Sequence, residues 1–83
     1  MFNSLFASEN TIMKLSLTTR ETQVLELISY GFTDKEIGSK LFLSHYTVTD
    51  HRYSLLKKLK GKNAASMIRR AFETGVLNVD SPF

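Results

Sequence analysis

The chain has 83 residues, room for one domain, and its 42% hydrophobic and 23% charged residues are those of an ordinary soluble globular protein. It has no Cys, which excludes a disulfide scaffold, a Cys-ligated zinc finger and a thiol enzyme, and no apolar run nears the roughly 18–20 residues of a membrane span. The net charge of +3 is unevenly spread: residues 1–50 carry a net −2, whereas residues 51–70 carry +7 with no acid, the footprint of a polyanion binder or of a solvated helix face.

In chain order, residues 1–16 are ambiguous. Phe2, Leu5 and Phe6 suit an extra turn packed on the body or on a partner, or a frayed end. No basic residue precedes Lys14, so the N-terminus does not read as a signal peptide, and a cytoplasmic location is expected. Thr18-Thr19-Arg20-Glu21 is a capping-box pattern, and Leu17, Glu21, Val24, Leu25 and Ile28 follow at helical spacing until Gly31 offers a left-handed stop. Thr33-Asp34-Lys35-Glu36 is a second capping box, with Ile37 and Leu41 four apart. Ser44 starts a third helix with Val48, Leu55, Leu56 and Leu59 on one stripe. Asn63 starts a fourth, with Met67, Ile68, Ala71 and Phe72 apolar and Gly75 closing it. The expectation is an all-α domain with helices at about 18–30, 33–41, 44–60 and 63–74, and a short tail over 78–83.

The second and third of these helices, joined through Phe42-Leu43, have the layout of a helix-turn-helix, which presents the start of its second helix to a DNA major groove. Gly38 suits a close crossing of the pair, and on that reading Ala is tolerated there while Leu is not. If Val48, Leu55 and Leu59 point inward, Tyr46, Thr49, Asp50 and Tyr53 point outward. Thr33 and Ser44 open helices whose backbone amides suit a phosphate, and His45 in the first turn is placed to touch one. His51 reads as a residue at the core's edge that hydrogen-bonds locally.

Leu17-Thr18-x-Arg20-Glu21-x-x-Val24-Leu25-x-Leu27-Ile28-x-x-Gly31, then Thr33-x-Lys35-Glu36-Ile37 and Leu41-x-Leu43-Ser44-x-x-Thr47-Val48-x-x-His51-Arg52, resembles the LuxR/GerE-type DNA-binding domain. Lys58-Leu59, Ala71 and Gly75 continue the resemblance, which covers residues 17–77. It implies a four-helix bundle containing a helix-turn-helix, of the winged-helix type without a wing. It further implies a sequence-specific regulator of transcription that binds double-stranded DNA as a homodimer, with no cofactor or metal. Carried over by position, Thr49, Asp50 and Tyr53 face base edges, Arg52 meets a base or phosphate, and Thr33, Lys35, Thr47 and Lys58 hold phosphates. Ser44, His45, Tyr46 and Lys57 complete the expected DNA face, and Ala64, Met67, Ile68 and Ala71 of the last helix the expected dimer face.

The chain departs from the family pattern at Thr49, where Lys is general, at Asp50, where a small residue is, and at Ala64, where Arg is usual. Ser66 replaces a common Glu, and Lys60 displaces a Gly that falls instead at 61. Asp50, Ala64 and the apolar Phe2, Leu5 and Phe6 also suit an alternative, a helix-turn-helix relative that binds another regulator. A sigma-factor promoter-reading domain shares Glu36-Ile37-Gly38 but is disfavoured by His51 and the fourth helix ending in Gly75. RNA polymerase is a further partner of the DNA-binding reading. No enzyme is expected: Ser44, His45 and Asp50 lack the Gly-rich elbow of a nucleophile, and two His without Cys make no zinc constellation. Such domains commonly end larger regulators, so a chain that begins at Met with no room for a sensing domain is expected to be a stand-alone regulator or an excised piece.

Overall fold

A computed structural model describes residues 16–78, so the expectations for Phe2, Leu5 and Phe6 and for most of the C-terminal tail lie outside the described residues. Four helices follow in order: α1 Thr19–Ser29, α2 Asp34–Leu41, α3 His45–Leu59 and α4 Ala64–Glu73. No strand occurs among the described residues.

Each helix begins where a short polar side chain satisfies an otherwise orphaned amide. Thr18, Thr33 and Ser44 accept from the amides of Glu21, Glu36 and Thr47, and Asn63 accepts from that of Ser66. The boxes at Thr18 and Thr33 are reciprocal, since Glu21 and Glu36 accept the cap amides in return. Ser66 performs the same service with a hydroxyl, accepting from the amides of Lys62 at 2.8 Å and Asn63 at 3.1 Å. Gly31 ends the first turn region with φ +93°, as its place in the sequence suggests.

The core is a single cluster of Val24, Leu25 and Ile28 from α1, Ile37 from α2, Val48, Leu55 and Leu59 from α3, Met67 and Ala71 from α4, and Leu77 beyond it. α3 is the central element and packs on the other three helices. Burying this apolar surface supplies most of the stability of so short a chain.

Two close approaches fix how the helices meet. A Cβ on Gly38 would stand 2.5 Å from the carbonyl oxygen of Leu43, so α2 rests directly on the backbone of the turn that leads into α3. The close approach therefore involves the turn's main chain, which cannot retract as a side chain can, and tolerance of Ala at Gly38 is not expected. A Cβ on Gly61 would lie 2.8 Å from both the amide nitrogen and the Cα of Met67, so the third connection passes against the backbone of α4. The left-handed position ending α3 falls on Lys60 (φ 55°), leaving Gly61 for the contact that no side chain permits.

The last helix departs from expectation. Met67 and Ala71 are 0% exposed in the single chain and belong to its core, and Ala64 and Ile68 pack against that core. Met67 and Ala71 therefore have no surface to offer a second copy. The apolar surface left to α4 is the other side, at Ala65, the exposed part of Ile68, and Phe72, which is 40% exposed.

Candidate nucleic-acid interface

The turn between α2 and α3 is held from within. Phe42 takes the left-handed conformation (φ 59°), and the amides of Phe42 and Leu43 both donate to the carbonyl of Gly38. This reversal ends α2 and leaves the Phe42 ring 93% exposed beside the start of α3. Ser44 then caps α3, its Oγ 3.1 Å from the Thr47 amide and 3.0 Å from the Thr47 hydroxyl.

With Val48, Leu55 and Leu59 buried, the opposite ridge of α3 carries Tyr46, Asp50, Tyr53 and Lys57, all exposed and spaced three or four residues apart. Tyr46 and Tyr53 are 74% and 63% exposed. His45 is exposed as well, its ring 4.1 Å from that of Tyr46. The Asp50 carboxylate makes no hydrogen bond or ion pair to any described residue.

Thr49 and Arg52 occupy a different environment. Both turn toward α2, where the Asp34 carboxylate receives them. Arg52 donates through Nε at 3.0 Å and Nη2 at 2.5 Å to one carboxylate oxygen. The Thr49 hydroxyl lies 2.9 Å from the other and 2.9 Å from the carbonyl of His45, so its one proton is shared between two acceptors. Burial raises the Asp34 pKa, and the hydrogen bonds from Arg52 and Thr49 outweigh it, leaving the carboxyl below its ordinary value.

Lys58 also faces inward. Its ammonium donates to Glu21 at 2.7 Å and to the carbonyl of Ser16 at 3.3 Å, bracing α3 against the start of α1. Glu21 is nearly buried and additionally accepts from Ser54 at 2.5 Å and from the Thr18 amide at 3.0 Å. Burial alone would raise its pKa, but the bonds from Lys58, Ser54 and Thr18 prevail and lower it to about 2. The sequence showed Glu21 as a capping residue on the stripe of Leu17, Val24, Leu25 and Ile28, but not that its second oxygen serves a contact 33 residues away.

The basic segment is partly neutralised by its own fold. Arg52 and Lys58 pair with Asp34 and Glu21, while Arg69 and Arg70 both reach Glu73 on exposed α4 surface, where such pairs are weak. Lys57, Lys60 and Lys62 are exposed and make no ion pair among the described residues, as is Lys35 at the first turn of α2. Thr33 and Ser44 spend their hydroxyls on their own helices, while the amides of His45 and Tyr46 find no acceptor among the described residues. His51 is half-buried, as expected at the core's edge, but its ring forms no hydrogen bond to another described side chain or backbone group. No described helix is long and apolar enough to cross a membrane, and the described His, Asp and Glu form no metal-holding group.

Two helices joined by a tight left-handed turn, the second carrying an unencumbered outward ridge, define a helix-turn-helix domain. Residues 15–71 match the bacterial regulatory proteins of the luxR family. The chain belongs to that family. It is 38% identical over 77 residues to the uncharacterized response regulatory protein YgeK of Escherichia coli, covering 93% of this chain and 49% of that protein. It is 45% identical over 53 residues to the transcriptional regulatory protein LiaR of Bacillus subtilis, 64% of this chain and 25% of LiaR. With the transcriptional regulatory protein UhpA of E. coli the figures are 44% over 57 residues, 69% of this chain and 29% of UhpA. The chain thus spans at most about half the length of these relatives. No solved structure matches it significantly.

Proposed function

We propose that this domain binds double-stranded DNA with the ridge of α3 in the major groove and regulates transcription from there. The observation that carries the reading is the pair α2 and α3, closed against each other at Gly38, with Tyr46, Asp50 and Tyr53 projecting from the first turns of α3. These three are the candidate base-reading groups, with Asp50 suited to the exocyclic amine of cytosine. Lys35 and Lys57, His45, and the amide end of α3 behind Ser44 and Thr47 are the candidate phosphate contacts, with the amide end of α2 behind Thr33. Lys58 is withdrawn from that set because Glu21 and Ser16 hold it on the other side of the helix.

A homodimer through α4 would place two reading helices about one duplex turn, roughly 34 Å, apart. The face available for it is that of Ala65, Ile68 and Phe72, since Met67 and Ala71 serve the monomer. A bacterial regulator acting on DNA works in the cytoplasm, with RNA polymerase as a further partner.

The test is titration of the chain into labelled duplex DNA at several salt concentrations, followed by selection from a random-sequence pool. Affinity that falls steeply with salt, and an inverted repeat recovered from the pool, support the reading. Two aromatic rings flanking an uncompensated carboxylate also fit a protein partner, because tyrosines anchor protein interfaces and phosphates repel Asp50. Absence of any salt-dependent DNA binding would favour that second reading.

A further inference from the structure

The first three turns of α3 contain one permanently cationic side chain, Arg52, and the fold has already assigned it a partner. Both Nε and Nη2 donate to Asp34, and the side chain retains only 25% of its exposure. Asp34 is held in turn by the Thr49 hydroxyl, so neither residue is free to swing outward independently. The charge balance of the reading surface follows. Arg52 and Asp34 cancel, Asp50 remains, and that half of α3 presents a net negative charge to any polyanion.

We infer that Asp34 is a specificity-determining residue that withholds Arg52 from the phosphates and so suppresses sequence-independent binding to duplex DNA. The inference rests on the DNA reading above. Attraction to a generic duplex comes from phosphate neutralisation and takes no account of sequence, so each cation available on the reading face raises affinity for every competing site. A guanidinium committed to an internal carboxylate contributes orientation without that penalty. Asp34 can do this because it occupies the first helical position after the Thr33 cap, where the helix start favours its charge and points the carboxylate across to α3.

The test is a double-mutant cycle on a random-sequence duplex, read as the slope of log affinity against log salt. Asp34→Asn keeps a first-turn residue suited to a helix start but removes the charge that holds Arg52. It should steepen the slope by about one unit and tighten generic binding several-fold at low salt. Asp34→Glu, which keeps the carboxylate, should keep the parent's slope. Arg52→Gln separates withholding from simple addition of charge. In the parent it should leave the slope unchanged, because Arg52 makes no phosphate contact there. In the Asp34→Asn background it should remove the extra unit.

Thermal melts of the parent and all four variants confirm that folded species are compared. An Asp34→Asn protein with the parent's slope overturns the inference. So does an Arg52→Gln effect of equal size in both backgrounds, which would reduce the pair to additive charges. Failure of every variant to bind duplex DNA, Asp34→Asn included, refutes the DNA reading itself.

Discussion

Replacing Glu21 by Gln isolates one buried charge whose contribution depends on pH in a calculable way. In the folded chain its pKa is lowered from 4.5 to about 2 by Lys58, Ser54 and the Thr18 amide acting against burial. A depressed folded pKa means that the folded state binds the proton less readily than the unfolded one. The stabilisation is therefore complete above the unfolded value and is lost as pH falls from about 5 toward 2. A shift of that size corresponds to about 3 kcal/mol at neutral pH, a large share of the margin of a domain this small.

Gln at this position can still accept from the Thr18 amide through its one carbonyl oxygen, so the capping box survives, while its NH2 takes the place of the oxygen at Ser54 and donates to that hydroxyl. The loss is the charge beside Lys58, about 1–3 kcal/mol at pH 7. Urea unfolding followed by circular dichroism at pH 7, 5, 4 and 3 should show the parent ahead at pH 7 and the gap narrowing steadily below pH 5. Asp34 titrates in the same direction, but it is present in both proteins and cancels in the difference. A gap that stays constant down to pH 3 would show that Glu21 carries no such depressed pKa, and the buried ion pair would lose its assigned role.

Gly38→Ala should destabilise the fold by about 1 kcal/mol despite the better helix propensity of Ala, because the new methyl meets the Leu43 carbonyl; an unchanged urea midpoint would refute this. Met67→Glu should abolish cooperative unfolding by burying a charge in the core, whereas Phe72→Glu should melt like the parent yet weaken binding to a palindromic duplex; sedimentation and anisotropy distinguish the two. Lys57→Ala should lower the salt slope of DNA binding by about one unit, and Lys58→Ala should lower stability while leaving that slope unchanged. Asp50→Asn should strengthen generic DNA binding while relaxing discrimination at one cytosine per half-site by about 1–3 kcal/mol; a uniform gain at every sequence would end the cytosine assignment.

Helix starts at Thr18, Thr33, Ser44 and Asn63 were legible in the sequence because a cap is a bond between residues three apart, which needs no contact from elsewhere in the chain. The inward stripe of α3, and with it the outward ridge of Tyr46, Asp50 and Tyr53, follows from helical period for the same local reason. Period alone could not assign Met67 and Ala71, since an apolar face looks the same whether it meets its own core or a second chain. Nor could it show that Arg52 and Lys58 are already engaged, because Asp34 and Glu21 lie 18 and 37 residues away and meet them only when α2 and α1 pack on α3. Charge along the chain is a property of composition, but charge available to a partner is what remains after the fold has paired it, and that pairing belongs to the tertiary structure.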